Sequence, residues 1–376
     1  MRPTWIEVDL GAIRHNVAAV VNAVAPAEVC AVVKADGYGH GDVPVAQAAL
    51  DAGARWLAVA LIEEGIRLRE AGIEAPVLLL SEPPASAADR VTKWRLTPTV
   101  YTSWFVEALE EVAAEAAPFA VHLKVDTGMH RVGAETSTAL TLAKRIASSE
   151  SLTLGGVWTH FAVAEEDDVA TATQLSEFRA FVDAVEACGI DPGRIHAANT
   201  AGALARDDAR FDMIRLGLGM YGLQPSPTVG ADLGLRPAMR VVSHVSHIAR
   251  YPGGTRLSYG LRRPLPADAT VATVPVGYAD GLARRLSALD AEVLVGGTRV
   301  PFAGTITMDQ IVLDVGEAPV AIGDEVVLLG AQGADAITAE EWAERLGTIN
   351  YEIVCRFGPR VPRRYVDGPS RFGDEP

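Results

Sequence analysis

The sequence predicts an α/β protein: an N-terminal (β/α)8 TIM-type barrel followed by a mainly β C-terminal domain. Three observations carry that prediction. Between residue 28 and about 222, apolar strand-like runs alternate with alanine-rich stretches of helical length. Eight such runs occur in strand–helix order, which favours a barrel over a doubly wound sheet. The pattern then stops at Leu223-Gln224-Pro225-Ser226-Pro227, and short β-rich runs punctuated by Gly and Pro follow.

The strand candidates of the barrel are 28–34, 56–61, 76–80, 96–101, 119–126, 152–160, 194–198 and 212–216. The stretches 41–52, 62–71, 103–116, 136–148 and 170–188 lie between them and read as helices. A leading strand over 5–10, with the helix after it, would lie outside the barrel proper. After the break, 239–250, 270–276, 291–295, 311–315 and 325–329 read as strands and 338–346 as a helix. The domains are therefore expected at 1–228 and 229–376.

A chain of 376 residues has room for two domains and a substantial core. With 49% hydrophobic residues it is expected to be globular. Its formal charge of −15 argues against nucleic acid, which wants a basic patch. No apolar run is long enough for a membrane span. Cys30, Cys188 and Cys355 are scattered, with no metal-ligand spacing and no disulfide framework. The first ten residues carry acids early and lack a continuous apolar stretch, so a cytoplasmic location is expected.

The run Glu28-Val29-Cys30-Ala31-Val32-Val33 ends in Lys34, and Ala35-Asp36-Gly37-Tyr38-Gly39-His40-Gly41 follows at once. Mostly β-branched or small apolar residues read as a buried strand. An ammonium buried at its end is costly unless its charge is paired or lost. A lysine that sheds its proton is a nucleophile suited to a Schiff base with an aldehyde. The chain holds only Lys34, Lys93, Lys124 and Lys144 among 33 basic residues, so a lysine kept here has work that arginine cannot do. A lysine snorkelling from the strand end to solvent fits the same residues.

Barrel enzymes gather their chemistry at the C-terminal ends of the strands. Polar residues recur there: Lys124 through Arg131, Thr159-His160, His196 through Thr200, and Arg215-Leu216-Gly217-Leu218. Alone, a histidine such as His160 is more often a satisfied core histidine than a functional one. Together with Lys34, polar residues at five strand ends are hard to explain as packing.

The segment from Ala31 to Gly41 resembles the pyridoxal-phosphate attachment signature of the alanine racemases, with Asp36-Gly37 where that family usually has Asn-Ala. Further segments resemble the family in order, through Arg256-Leu257-Ser258-Tyr259-Gly260, Val276-Gly277-Tyr278-Ala279-Asp280-Gly281 and Thr307-Met308-Asp309-Gln310, to Arg360-Val361-Pro362-Arg363. The resemblance covers essentially the whole chain. It implies pyridoxal phosphate attached to Lys34, with its phosphate held by Tyr38, Thr200 and the backbone of Gly217 and Leu218, and with Asn199 in the same cofactor-binding segment. His160 would pack against the ring and Arg215 would face the ring nitrogen. An arginine does not give up its proton, so that nitrogen would stay unprotonated.

The resemblance further implies two opposed bases, Lys34 acting on D-alanine and Tyr259 of the partner subunit on L-alanine. A free phenol ionises only near about pH 10, and a His160–Arg215 chain would ease that ionisation. Arg131 and the Met308 backbone would bind the substrate carboxylate, and Tyr278 would narrow the entrance. Lys124 would be carbamylated and would orient Arg131. Two shared sites would form in a head-to-tail homodimer, with no metal. The implied role is D-alanine supply for peptidoglycan. Thr200 and Thr307 stand where the family often has Ser and Cys, and Pro359 replaces a common tyrosine, with Tyr365 as the candidate substitute at a different spacing. A racemase that also takes serine, and a non-catalytic barrel that manages the vitamin, are the competing readings.

Overall fold

Strand β1 (Thr4–Asp9) opens the chain, and eight short strands follow it up to residue 216: β2 (Glu28–Val32), β3 (Trp56–Val59), β4 (Val77–Leu79), β5 (Thr99–Val100), β6 (Phe119–Lys124), β7 (Leu152–Trp158), β8 (Arg194–His196) and β9 (Met213–Leu216). The computed structural model describes residues 2–113 and 118–368. These fall into two units, one of Ile13–Gly37 with Asp42–Arg236, the other of the chain up to Ala12, Tyr38–Gly41 and the chain from Pro237 onward.

In the first unit, β9, β2, β3 and β4 lie side by side, as do β5, β6, β7 and β8, all parallel. Backbone hydrogen bonds close both seams. Leu79 N and Thr97 N donate across the β4–β5 seam to Thr97 O and Val77 O, each at 2.8 Å. Asp212 N donates to Ile195 O at 3.1 Å, and Arg215 N to Ala198 O at 3.0 Å, across the β8–β9 seam. The eight strands therefore form a barrel. β3 and β4 are buried along their whole length, as expected of parallel strands covered on both faces.

The helices fall close to their expected places, at Asp42–Asp51, Ile62–Glu70, Ser103–Ala113, Thr136–Ser148 and Asp168–Ala187. The expected end of the third, 114–116, lies outside the described residues. Asp167 caps the longest by accepting from Ala170 N at 2.9 Å. Several strands stop short of the apolar runs that predicted them. β2 ends at Val32, so Lys34 begins the following turn and is half-buried, where the sequence suggested a buried strand end.

The second unit holds β10 (Met239–His244), β11 (His247–Tyr251), β12 (Ala269–Val274), β13 (Glu292–Val295), β14 (Thr298–Pro301), β15 (Ile311–Gly316), β16 (Glu325–Gln332), β17 (Asp335–Ile337) and β18 (Arg363–Val366). One sheet runs β14-β13-β16-β10-β1-β18, with β17 on β16, and a second runs β11-β12-β15. The 239–250 run splits because the chain changes sheets at Val245 and Ser246, whose N–H groups donate to Asp324 O and Thr273 O. β1 is built into this unit, antiparallel to β10 and parallel to β18. The sequence had grouped it with residues 1–228, and the unit boundary falls at Arg236/Pro237 instead of 228/229. The helix Ala339–Leu346 matches expectation, with Thr338 accepting from Glu341 N and Gly347 at φ 68° closing it. No helix among the described residues is long and apolar enough to cross a membrane.

Candidate active site

Lys34 opens a turn in which Ala35, Asp36 and Gly37 all adopt left-handed backbone, at φ 54°, 54° and 58°. Such backbone costs about 1–2 kcal/mol for each residue bearing a Cβ, so neighbours must hold it. Glu64 does so. It is buried, its Oε1 accepts from Ala35 N at 2.7 Å, and its Oε2 accepts from Ala60 N at 2.8 Å and Leu61 N at 3.1 Å. Gly37 N donates to Val33 O at 3.0 Å, which closes the turn. Glu64→Ala would leave three backbone donors without their acceptor and is expected to destabilise the protein by about 2 kcal/mol or more. The check is the unfolding midpoint in denaturant, and an unchanged midpoint would discount Glu64 as the anchor.

Arg215, on β9, is fully buried. Its Nη1 donates to His196 Nδ1 at 2.9 Å, and its Nη2 to Ala197 O at 2.6 Å, Thr159 O at 2.9 Å and His160 Nδ1 at 3.1 Å. Among the described residues no carboxylate pairs with it. Burial lowers its pKa to about 10, so it remains a cation at neutral pH. Because arginine only donates, both histidines accept at Nδ1. Burial, then the Arg215 charge, holds both imidazoles well below the usual histidine range, so each is neutral with its proton on Nε2. His196 then donates to His122 Nδ1 at 3.0 Å, and burial also keeps His122 neutral, its pKa lowered to about 3.

Lys124, the last residue of β6, is buried, with Nζ 4.3 Å from the Trp158 ring centroid. Arg215 Cζ lies 4.6 Å from the same ring, and His196 stacks on it at 5.5 Å. Burial first, then the charges of Arg215 and Arg131, lowers the Lys124 pKa to about 7, with Lys34 adding in the same sense. The unfolded chain therefore binds more protons at Lys124 than the folded one between about pH 7 and 10.5, and stability from this group rises with pH through that window. Asp126 shapes the loop to Arg131 by accepting from the backbone of Gly128, Met129 and His130, each at 3.0 Å. Arg131 itself is exposed.

Thr200 is buried at the start of the helix Thr200–Ala205, and its hydroxyl accepts from Gly217 N at 3.0 Å. A Cβ on Gly219 would come 2.8 Å from Thr200 Cγ2, so the Gly217–Gly219 backbone can approach this closely only without a side chain there. Tyr221 Oη donates to Val32 O at 2.9 Å and ties that turn to β2. The Asn199 side chain accepts from Gly202 N at 2.9 Å, which gives it a structural use as a helix cap. In the barrel unit Lys34, Arg131 and Arg215 thus all lie within electrostatic reach of both Lys124 and His160.

In the second unit, Tyr259 stands 71% exposed on a loop held from below. Ser258 Oγ donates to Thr305 O at 2.6 Å and Thr305 Oγ1 to Tyr259 O at 2.8 Å, while Leu257 packs on Leu265, Ala269, Val271 and Ala303. Ser258, Tyr259, Gly260, Thr307, Gln310 and Val312 line a cavity of about 440 Å³. Tyr278 N donates to Thr307 O at 2.9 Å and Ala279 N to Met308 O at 3.1 Å, so the Tyr278 and Met308 loops are joined. Tyr38 lies in this unit with its ring 6.0 Å from that of Tyr351, and burial raises its pKa. Tyr365 Oη occupies the space a side chain on Gly41 would need.

Sequence reasoning missed Glu64, His122 and Tyr351, and quoted Trp158 at its strand end without a role. The available signal for His122 was a histidine inside the otherwise apolar strand Val121-His122-Leu123.

Known proteins resemble this chain along nearly its whole length. Residues 8–225 match the family model for the alanine racemase N-terminal domain, and residues 238–365 that for the C-terminal domain. A curated relative from Desulfovibrio desulfuricans named alanine racemase is 42% identical over 370 residues, covering 97% of this chain and 99% of its own. One from Frankia casuarinae is 44% identical over 369 residues, covering 96% and 95%. The solved alanine racemase of Bacillus anthracis with bound L-Ala-P superposes with TM-score 0.91 at 37% identity, covering 100% of this chain and 96% of that one. That of Streptomyces coelicolor gives 0.92 at 39%, covering 97% and 98%. These names support the alanine reading over a broader racemase or a non-catalytic barrel. By both domain models and by relatives that run nearly its full length, the chain belongs to the alanine racemase family.

Proposed function

We propose that the chain interconverts L- and D-alanine by a two-base proton transfer, with Lys34 of one subunit opposed by Tyr259 of the partner subunit. The observation that carries the reading is the buried Arg215 cation, partnered by two neutral imidazoles and no described carboxylate, at the barrel end that also bears Lys34. A buried cation without an anion is costly unless something there accepts its hydrogen bonds.

Pyridoxal phosphate fits these donors. Lys34 Nζ supplies the amine for its aldehyde, and Arg215 a donor for its ring nitrogen. The Thr200 hydroxyl, the close-set Gly217–Leu218 backbone and Tyr38 suit its phosphate. When bound, the group supplies an electron sink that makes the α-proton of the amino acid acidic. The protein's residues do the rest. Lys34 Nζ takes or gives the proton on one face of Cα, and Oη of the partner subunit's Tyr259 does so on the other. His160, proton on Nε2, is a donor suited to steadying a phenolate. Arg131 offers a bidentate fork to the substrate carboxylate, with the backbone of Met308 of the partner subunit as second ligand and the partner subunit's Tyr278 restricting side-chain size.

Supplying D-alanine for peptidoglycan from a cytoplasmic homodimer is the role this reading implies. The test is a chiral assay of the purified protein supplied with pyridoxal phosphate. Alanine turnover well above serine turnover is expected from either enantiomer, and cofactor binding without alanine turnover would refute the reading.

We also infer that Lys124 carries a carbamate. With a pKa near 7 the neutral amine is abundant; its nitrogen adds to the carbon of carbon dioxide and releases one proton to solvent, and the carbamate replaces a cation repelled by Arg131 with an anion. Intact mass at mildly alkaline pH is expected to show one added carbon dioxide, lost on acidification and absent from Lys124→Ala. The unmodified mass at alkaline pH would reject it.

A further inference from the structure

Asp280 ends the Tyr278 turn, and its side chain is fully buried at 0% exposure. A buried carboxylate persists only with partners. Arg2 grips it with both prongs, Nη1 donating to Oδ2 at 2.9 Å and Nη2 to Oδ1 at 2.8 Å. Arg360 Nε lies 3.4 Å from Oδ1, while its Nη2 donates to Asp309 Oδ1 at 2.6 Å. Arg2 Nη2 also donates to Arg360 O at 3.1 Å. Asp280 Oδ2 accepts from Gly277 N at 2.9 Å, and its carbonyl from Gly358 N at 3.3 Å. Thr4 Oγ1 adds a bond to Pro275 O at 3.1 Å, just ahead of the same turn.

The network therefore joins four parts of the second unit: the start of the chain, the Tyr278 turn, the Met308 loop and the segment leading into β18. A side chain on Gly277 would collide with the Met308 carbonyl, so the two loops are packed backbone to backbone. Small displacements of Asp280 reach the Met308 backbone through the Tyr278 N–Thr307 O and Ala279 N–Met308 O bonds.

We propose that the Arg2–Asp280–Arg360–Asp309 clasp is a positioning device that fixes the Met308 backbone and Tyr278 for the substrate, so that Arg2 sets affinity for alanine. The proposal rests on the reading that those two loops contact substrate. Arg2 and Asp280 act through the loops and touch no reacting atom, so their loss falls on substrate binding and spares proton transfer.

The experiment compares holoenzyme with Arg2→Ala, Arg2→Lys and Asp280→Asn in saturation kinetics for both enantiomers, with amide hydrogen exchange over 277–282 and 307–310. Losing one charged bidentate contact is expected to raise KM about tenfold, with kcat within about threefold. Exchange in both loops should quicken, and Arg2→Lys should recover much of the KM. An unchanged KM overturns the proposal. So does a joint fall of kcat, affinity and thermal stability that Arg2→Lys does not restore, which marks a brace with no hold on substrate. If the parent enzyme does not racemise alanine, the substrate reading fails by itself. The exchange arm still decides the clasp, since unaltered loop protection in Arg2→Ala removes it.

Discussion

Lys34→Ala is expected to abolish racemisation in both directions, by more than about 10⁴-fold. The loss is so large because two duties share one nitrogen. Lys34 Nζ is the proposed covalent attachment point of the cofactor and the proposed base for D-alanine. The surroundings suit both. Lys34 lies close enough to Lys124 and His160 to join Arg215 and Arg131 in lowering the pKa of both. Glu64 directs its carboxylate to the backbone N–H groups of Ala35, Ala60 and Leu61, and so anchors the turn that Lys34 opens. Lys34→Arg is expected to fail equally, because a guanidinium neither forms the link nor gives up its proton. The measurements are chiral turnover and visible absorbance of the protein after gel filtration with pyridoxal phosphate. Retained absorbance of a linked cofactor in Lys34→Ala, or turnover above a hundredth of wild type, would move the attachment elsewhere.

Much of this architecture was legible in the sequence, for reasons particular elements make plain. Barrel strands buried on both faces write continuous apolar runs, so β3 and β4 are found nearly to the residue. Their ends are not, because hydrophobicity continues past the last ladder bond. Val33 still donates to Ala58 O, yet Lys34 already belongs to a left-handed turn. β1 reads correctly as a strand, but its membership depends on pairing with β10 and β18, more than two hundred residues away. Short strands such as β14, β17 and β18 carry too few residues to show a period. At the site, Lys34, Arg215 and Tyr259 stand in segments whose spacing resembles a known pattern. Glu64, His122 and the Asp280 clasp gain meaning only from partners distant in sequence. Glu64 reads as one acid on a helix until Ala35 N is seen to point at it, and Asp280 as one acid beside Tyr278 until Arg2 closes on it.

Tyr259→Phe is expected to lower racemisation by about 10²–10⁴-fold, the range for removing one positioned acid–base group, while leaving the cofactor bound. Its diagnostic effect is asymmetric. In the two-base scheme Oη of the partner subunit's Tyr259 removes the α-proton of L-alanine and Lys34 Nζ that of D-alanine. With the phenol gone, the Lys34 face still works: in deuterated water D-alanine should continue to exchange its α-proton with retention, while exchange from L-alanine falls with turnover. The structure makes phenylalanine a clean test. Tyr259 is exposed, and its loop is held by the backbone and Ser258 bonds to Thr305 and by Leu257 in the small apolar cluster, none of which uses the phenol oxygen. Stability and loop shape should therefore survive, and a rate loss can be read as lost chemistry. Mixing Tyr259→Phe with Lys34→Ala adds a second arm. If each site draws its lysine and its tyrosine from different subunits, heterodimers carry one site with both residues intact and one with neither, and activity should return on mixing. Equal loss of exchange from both enantiomers would replace the two-base scheme with a single base. Absence of activity in the mixture, with heterodimers demonstrated, would place both bases in one subunit.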